Sequence, residues 1–279
     1  MPNLVDAIIK TRGIAADIFA KSLVNLDGLS ELKIKEKLVS EIKNHTEIFP
    51  DGWYNPPPSG IAVLLDQKPF KRLHYDSLRN PVFWPKENLF LEKETAGLIF
   101  FSPIDRKTGM IGDIGFTIYR GSNEKIKNHL KNTYSTILQI AEYAKVGMEF
   151  SEICTFALGL YKNKFKMTKW VPISSDPNVA INLGHSIPGS FENNFTFGKG
   201  YEEIKETIRT KRVPVIETEH FKIPETCAFT VESRLEDLND PDMPSAYFHF
   251  IVCFNKGKKT ILENYKQIFN TVGMDYMNS

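Results

Sequence analysis

The sequence is short of cysteine, of histidine and of long apolar runs, and each shortage removes a class of protein. Only three cysteines occur, Cys154, Cys227 and Cys253, far apart and each inside an apolar run. That spacing suits buried free thiols rather than a disulfide framework or a zinc knuckle, and it points to a reducing, cytoplasmic setting. No segment reaches the roughly 20 apolar residues that a membrane span requires. The opening MPNLVDAIIK has no basic stretch leading into an apolar one, so neither an export signal nor an anchor is expected. An excess of one charge is also missing, since 35 basic residues face 34 acidic ones over 279 positions. Nucleic acids and anionic membranes are bound through clustered positive charge, so neither is expected as a partner. What remains is 42% hydrophobic and 25% charged, enough to bury one large core or two modest ones.

Apolar residues recur every three or four positions in LVDAIIKTRGIAADIFAKSLVNL, which predicts a helix over 4–26. A second helix is predicted from the N-cap Ser30, with Leu32, Ile34, Leu38 and Ile42 near one side. After the break NPPPSG, β-branched and apolar runs at 60–65, 97–104 and 111–119 read as strands, the last two joined through DRKTG as a hairpin. The pattern then recurs, with helices predicted over 123–146 and 150–165 and strands at 180–186, 228–233 and 245–254. Two halves of helix, helix and strands predict one α+β domain over 1–279, built from pseudo-repeats of roughly 1–140 and 141–279. The segment 51–96 is the longest irregular stretch, and long loops inside compact domains tend to be functional.

Four ionisable residues stand inside or at the ends of apolar strands: Asp113 in MIGDIGFTIYRG, His185 in NLGHSIPGS, Glu232 in CAFTVESRL and His249 in AYFHFIVCF. A buried carboxylate is costly unless it is paired, hydrogen-bonded or bound to metal, so each needs a partner and they could serve one another. Taken singly, His185 reads more readily as a hydrogen-bonded structural histidine, and either carboxylate could sit at a strand end facing water.

The order of these motifs resembles the pita-bread family of methionine aminopeptidase, aminopeptidase P, prolidase and creatinase. GDIGFTIYRG is similar to that family's second aspartate motif, with Gly121 eight residues after Asp113. LGHSIPGSFE looks like its Gly-His-Gly-Ile-Gly segment, AFTVES like its Phe-Thr-Ile-Glu-Pro segment, and FHFIVCFNKGKKTIL like its final strand and turn. The resemblance spans roughly residues 10 to 265 and implies a curved, mainly antiparallel sheet with helices on its outer face. It also implies a dinuclear metal site of two aspartates, a histidine and two glutamates.

Part of that site is missing. The first aspartate would fall at Ser102 and the last glutamate at Phe248, so a second metal would lose most of its carboxylates. Two hard cations held close together need several anionic oxygens to offset their repulsion, and a conventional two-metal aminopeptidase is therefore not expected. Asp105 in IDRKTG could be offered as a replacement, but it reads as a solvated turn residue. Glu192 stands where the methionine aminopeptidases carry a substrate-side histidine. Ser186 and Pro188 replace glycines of the histidine motif, and Ser233 replaces the proline after the glutamate. His74 lies loosely where the family places a proton-shuttling histidine, across a loop, 66–96, whose register is open.

Three functional classes follow. One is a metal-free enzyme, as creatinase is within the family, acting on a small nitrogen-containing substrate by C–N bond hydrolysis or related chemistry. There His74, His185 and Glu232 would be catalytic, and Asp113, Glu192 and His249 would bind substrate. His249 is the weaker candidate, because its neighbour Phe248 takes the ligand position and adjacent strand residues face opposite ways. Another is a mononuclear iron, manganese or zinc site of Asp113, His185 and Glu232. The last is a catalytically inactive relative that serves as a binding module. Three carboxylates without a second metal would leave surplus negative charge, which favours amino, guanidino or amidine ligands. The expected partners are a small molecule or short peptide, with a homodimer left open.

Overall fold

The computed structural model describes residues 4–167, 181–192, 198 and 200–278. Its first layer is helical. Helix α1 (Leu4–Ser22) buries Ile8, Ala15, Ile18 and Phe19. It stops short of the predicted end at 26, because Asn25 and Gly28 take positive φ values of 53° and 74° and turn the chain. Helix α2 (Glu31–Ile42) opens at Ser30, whose hydroxyl accepts the Lys33 N–H at 3.3 Å and so satisfies one of the free donors of a helix start. Ile34, Leu38 and Ile42, four residues apart, form its buried stripe. Helix α3 (Glu124–Tyr143) is capped by the Asn123 carbonyl side chain, and α4 (Phe150–Tyr161) by a reciprocal pair of Glu149 and Glu152.

Among the described residues seven strands form one sheet. They are β1 (Ile61–Asp66), β2 (Thr95–Phe101), β3 (Ile114–Arg120), β4 (Phe165–Met167), β7 (Cys227–Asp237), β8 (Ala246–Asn255) and β9 (Lys258–Leu262). The order is β1-β2-β3-β8-β7-β4, with β9 on β8, and every pairing is antiparallel. The order mirrors itself about the β3–β8 seam: β1, β2 and β3 follow one helix pair, and β4, β7 and β8 follow the other. A separate ribbon pairs β5 (Asn182–His185) with β6 (Pro214–Ile216), and α5 (Tyr201–Lys211) lies between them in sequence. A last helix, α6 (Lys266–Thr271), closes the chain's return. The result is an α+β fold. Elements α5, β6 and α6 occupy stretches in which sequence periodicity predicts none, and the helix predicted over 150–165 ends at Tyr161, with β4 starting at Phe165.

Strand alternation sorts the side chains of β8. Phe248 and Phe250 face the helices and meet Tyr134, Tyr265 and Phe269 edge to face at centroid distances of 5.2–6.2 Å. Tyr247 and His249 face the opposite way. A smaller apolar cluster covers that second face, where Trp53, Ile187, Ile204, Ile208 and Ile251 pack together. Phe229 and Val231 of β7 likewise enter the main core, leaving Thr230 and Glu232 on the Tyr247 side. The three cysteines are buried and unpaired. No helix among the described residues is long and apolar enough to cross a membrane.

Candidate functional site

A cavity of about 200 Å³ lies on the Tyr247 face of the sheet. The irregular segment supplies much of its wall through Trp53, Tyr54, Tyr75 and Arg79. Strands supply Phe100, His185, Glu232 and Tyr247, and Asp113 and Arg212 stand just before β3 and just after α5. Asp113, His185 and Glu232, far apart in sequence, therefore line one cavity.

Asp113 is 1% exposed, and both of its carboxylate oxygens accept the Trp53 indole N–H at 2.9 Å. Burial drives its carboxyl well above the ordinary aspartate range, and the indole hydrogen bond counters this in part. Beneath it, the fully buried guanidinium of Arg12 donates to the carbonyl oxygens of Asp113, His249 and Glu263.

His185 is placed by Gly184, which has φ +129° and where a Cβ would collide with Thr230, so β5 passes close over β7. The His185 Nδ1 lies 2.9 Å from the Ser186 carbonyl oxygen. A carbonyl only accepts, so Nδ1 carries the proton and Nε2 keeps a free lone pair. Burial, reinforced by the Arg212 charge, lowers this imidazole to about 3, and it is neutral at physiological pH.

Glu232 sits opposite His249 in the β7–β8 register and accepts the hydroxyl of Tyr247. Burial lifts its carboxyl to about 7, against the opposing pull of Tyr247 and Arg212. It is therefore poised between its acid and base forms at neutral pH.

Arg212 enters through the β5–β6 ribbon. The Ser186 hydroxyl accepts the Val213 N–H at 2.9 Å, and the Ser186 N–H donates to the Val213 carbonyl at 2.8 Å. The serine that replaces a motif glycine thus ties down the residue next to Arg212. The guanidinium lies over the Trp53 ring at 5.1 Å, and that of Arg79 lies over Tyr54 at 4.4 Å. These cations overturn the expected surplus of negative charge.

Three sequence candidates lie outside the cavity lining. The Glu192 carboxylate turns back to accept the Gly189 N–H at 2.6 Å and closes its own turn. His74 pairs with Glu236 at 3.0 Å. His249 is fully buried, near Phe100 at 6.4 Å, and neither ring nitrogen has a hydrogen-bond partner among the described residues. Asp105 holds a turn by accepting from Lys107 and Thr108, yet it is 6% exposed and so buried rather than solvated.

The two substituted ligand positions are built into the packing. Ser102 is buried, accepts the Tyr54 N–H at 3.1 Å and donates to the Gly60 carbonyl at 3.2 Å. Gly52 and Gly60 press so closely on it that a Cβ on either would collide with it. Phe248 points into the aromatic core. Ser233 bonds Tyr161 at 2.7 Å on the helix side. Nor does the mononuclear set form: no three His, Cys, Asp or Glu side chains among the described residues are grouped to hold a metal. Asp113 is turned to Trp53, Glu232 to Tyr247, and a guanidinium shares the cavity with them, so these residues do not fit an iron, manganese or zinc ion.

The residues that sequence reasoning missed are Trp53, Arg79, Arg212 and Tyr247. A signal existed only for the first two, which fall within the long irregular segment. Arg212 follows a helix that was not predicted, and its cavity role depends on the ribbon pairing of β5 with β6.

No protein-family model matches the sequence, and no curated protein resembles it in sequence. Solved structures do share the fold. X-Pro aminopeptidase from Thermotoga maritima superposes with a TM-score of 0.61 at 14% identity, covering 93% of this chain and 60% of that one. The Xaa-Pro dipeptidase of Bacillus anthracis gives 0.62 at 14%, covering 94% and 61%. A variant of Escherichia coli aminopeptidase P in complex with substrate gives 0.63 at 11%, covering 99% and 60%. The chain has the pita-bread fold of these enzymes and spans about 60% of their length.

Proposed function

We propose that the chain is a metal-independent hydrolase that cleaves a C–N bond in a small molecule. The observation that carries the reading is the convergence of Asp113, His185 and Glu232 on one aromatic-walled cavity, without a grouping that fits a metal. The fold shared with peptidases supports this reaction class as an analogy, and the site residues carry the argument. In the proposed step the Glu232 carboxylate takes a proton from water as the water oxygen bonds to the electrophilic carbon. Glu232 then returns that proton to the nitrogen, the C–N electron pair leaves with it, and an acid and an amine result. His185 Nε2 accepts a hydrogen bond from the substrate, and its neutrality avoids adding a cation beside Arg212. Trp53 holds Asp113 in place.

The test is release of free amine from a panel of dipeptides and N-acyl amino acids after exhaustive chelation. The expected result is turnover that survives chelation and drops at least 100-fold in Glu232→Gln, since general acid–base groups contribute about 10²–10⁴-fold. Ligand-induced stabilisation without turnover in the parent protein would replace this reading with that of a binding module.

A further inference from the structure

We infer that Arg79 and Arg212 form an anion subsite, and that the molecule this cavity takes carries a carboxylate on a small, flat apolar body. The inference rests on the site proposed above but not on its chemistry. The cavity leaves its two cationic side chains without acceptors, beside the neutral His185 Nε2 and the buried Tyr75 hydroxyl, which are also unpartnered among the described residues. The two carboxyl groups of the cavity, buried Asp113 and half-buried Glu232, are served by neutral donors: Asp113 by the Trp53 indole and Glu232 by the Tyr247 hydroxyl. A third carboxylate, Asp76, stands at the exposed rim and accepts the N–H of its neighbour Ser77 at 2.7 Å.

The two arginines are not served. Among the described residues neither side chain forms an ion pair or donates a hydrogen bond, and Nε of Arg212 is buried with no acceptor. Each guanidinium offers five N–H donors in a planar fork that matches a carboxylate, and each already rests on an aromatic face that fixes its plane. The aromatic rings of Trp53 and Tyr54 touch edge to face at 5.6 Å, so the two cations are held on adjoining rings of the same wall. Like charges placed side by side call for an anion between them, and an acceptor that bridges both would satisfy the orphaned donors at once.

The rest of the wall, Tyr75, Phe100 and Tyr247, is aromatic and suits a flat apolar body. At about 200 Å³ the space is below the 300–1,000 Å³ typical of drug-sized ligands. A monoanionic carboxylate also fits better than a phosphate dianion, which would add a second charge beside Glu232 and Asp113.

Three molecules of one shape and different charge test this: benzoate, benzamide and benzamidine, with inorganic phosphate as a fourth probe. Binding to the full chain is read by calorimetry and thermal shift. Benzoate should bind at least 10-fold more tightly than benzamide, and benzamidine should be weakest. Arg212→Gln and Arg79→Gln should each cost benzoate at least 10-fold while leaving benzamide within 3-fold, and Arg212→Lys, which keeps charge but not the fork, should recover only part. Glu232→Gln should keep or improve benzoate binding even though it loses turnover, so failure of the hydrolase reading and failure of the anion subsite are distinguishable. The proposal is overturned if benzamidine binds as well as benzoate, if benzoate gives no binding at millimolar concentration, if phosphate binds as tightly, or if the Arg79→Gln protein, folded by circular dichroism, binds benzoate as the parent does.

Discussion

The Trp53 indole N–H is shared between the two carboxylate oxygens of Asp113, 2.9 Å from each. One donor thus stands in for the solvation that a buried carboxylate has lost. The same ring carries the Arg212 guanidinium on its face and meets His185 edge-on at 5.4 Å. Trp53→Phe keeps most of the apolar contact and deletes the donor. Leaving a buried acceptor unsatisfied costs about 1–3 kcal/mol, and urea denaturation should show a loss of that order. A loss below about 0.5 kcal/mol, the scatter of neutral surface changes, would mean that the indole is a packing residue only.

The fold was legible in the sequence to the extent that periodicity spoke. The stripes of α1 to α4 and the runs of β1, β2, β3, β7 and β8 are long enough to read, whereas the antiparallel sheet is what the family resemblance implies, since β1 and β2 are joined by the long segment 67–94. Strand β5 falls within the run at 180–186, but its partner β6 gave no such signal, because three residues carry too little pattern to separate a strand from a loop. That gap decided how the site was misread. Asp113, His185 and Glu232 could be picked out as polar residues in apolar runs. Arg212 stands after an amphipathic helix in an ordinary charged stretch, TKRVPV. Only the pairing of Ser186 with Val213 brings it to the cavity, so a site expected to be acidic carries two guanidinium groups. Motif position points to Glu192 and His74, and each is taken up by a local partner instead.

Restoring the missing aspartate should fail structurally. The side chain of Ser102 is enclosed by Gly52 and Gly60, and its hydroxyl sits between the Tyr54 N–H and the Gly60 carbonyl. Ser102→Asp adds volume where overpacking alone costs about 1–3 kcal/mol, and it adds a charge in a dry site. The expected outcome is a destabilisation of roughly 2–4 kcal/mol with no metal retained on elemental analysis. A variant as stable as the parent that carried metal would show that the 52–60 loop is adaptable and that this position still serves as a ligand.

Two glutamates, buried Glu31 and half-buried Glu232, should each take stability from the protein as pH rises. Glu232 and Glu31 are both lifted to about 7, chiefly by burial. Glu31 accepts the N–H groups of Leu65 and Lys86 and pairs with Arg72 at 3.0 Å, tying the loop that carries Tyr75 and Arg79 to α2. A carboxyl whose folded value exceeds its unfolded value binds protons more tightly when folded. Its stabilising contribution is full below about 4.5 and is lost as pH climbs through 7. Each shift corresponds to roughly 3 kcal/mol at most. Because the buried His185 and His249 slope the other way in part of this window, the effect is read as a difference: the melting temperatures of Glu31→Gln and of Glu232→Gln, each taken relative to the parent, should rise as pH climbs across it. Slopes unchanged in both variants would place these carboxyls in contact with water.

His249 provides the opposite slope and a change expected to stabilise. Its ring is fully buried, and neither nitrogen has a partner among the described residues. Burial, followed by the nearby charge of Arg12, holds its pKa well below the ordinary histidine value. The folded state therefore binds fewer protons here than the unfolded chain does, and stability drains away as pH falls below about 6.5. Leucine has nearly the volume of histidine and no polar atoms, so His249→Leu removes two unsatisfied groups without opening a cavity. Deleting an unpaired buried polar group recovers about 1–3 kcal/mol, less whatever the reshaped contact with Phe100 loses. A gain of about 1 kcal/mol is expected at pH 7, raising the melting temperature by about 2–4 °C, and the gap between variant and parent should widen below pH 6.5. If the variant instead loses more than about 2 kcal/mol, the ring must be hydrogen-bonded in solution, and a buried water linking His249 to the cavity would then be part of the site.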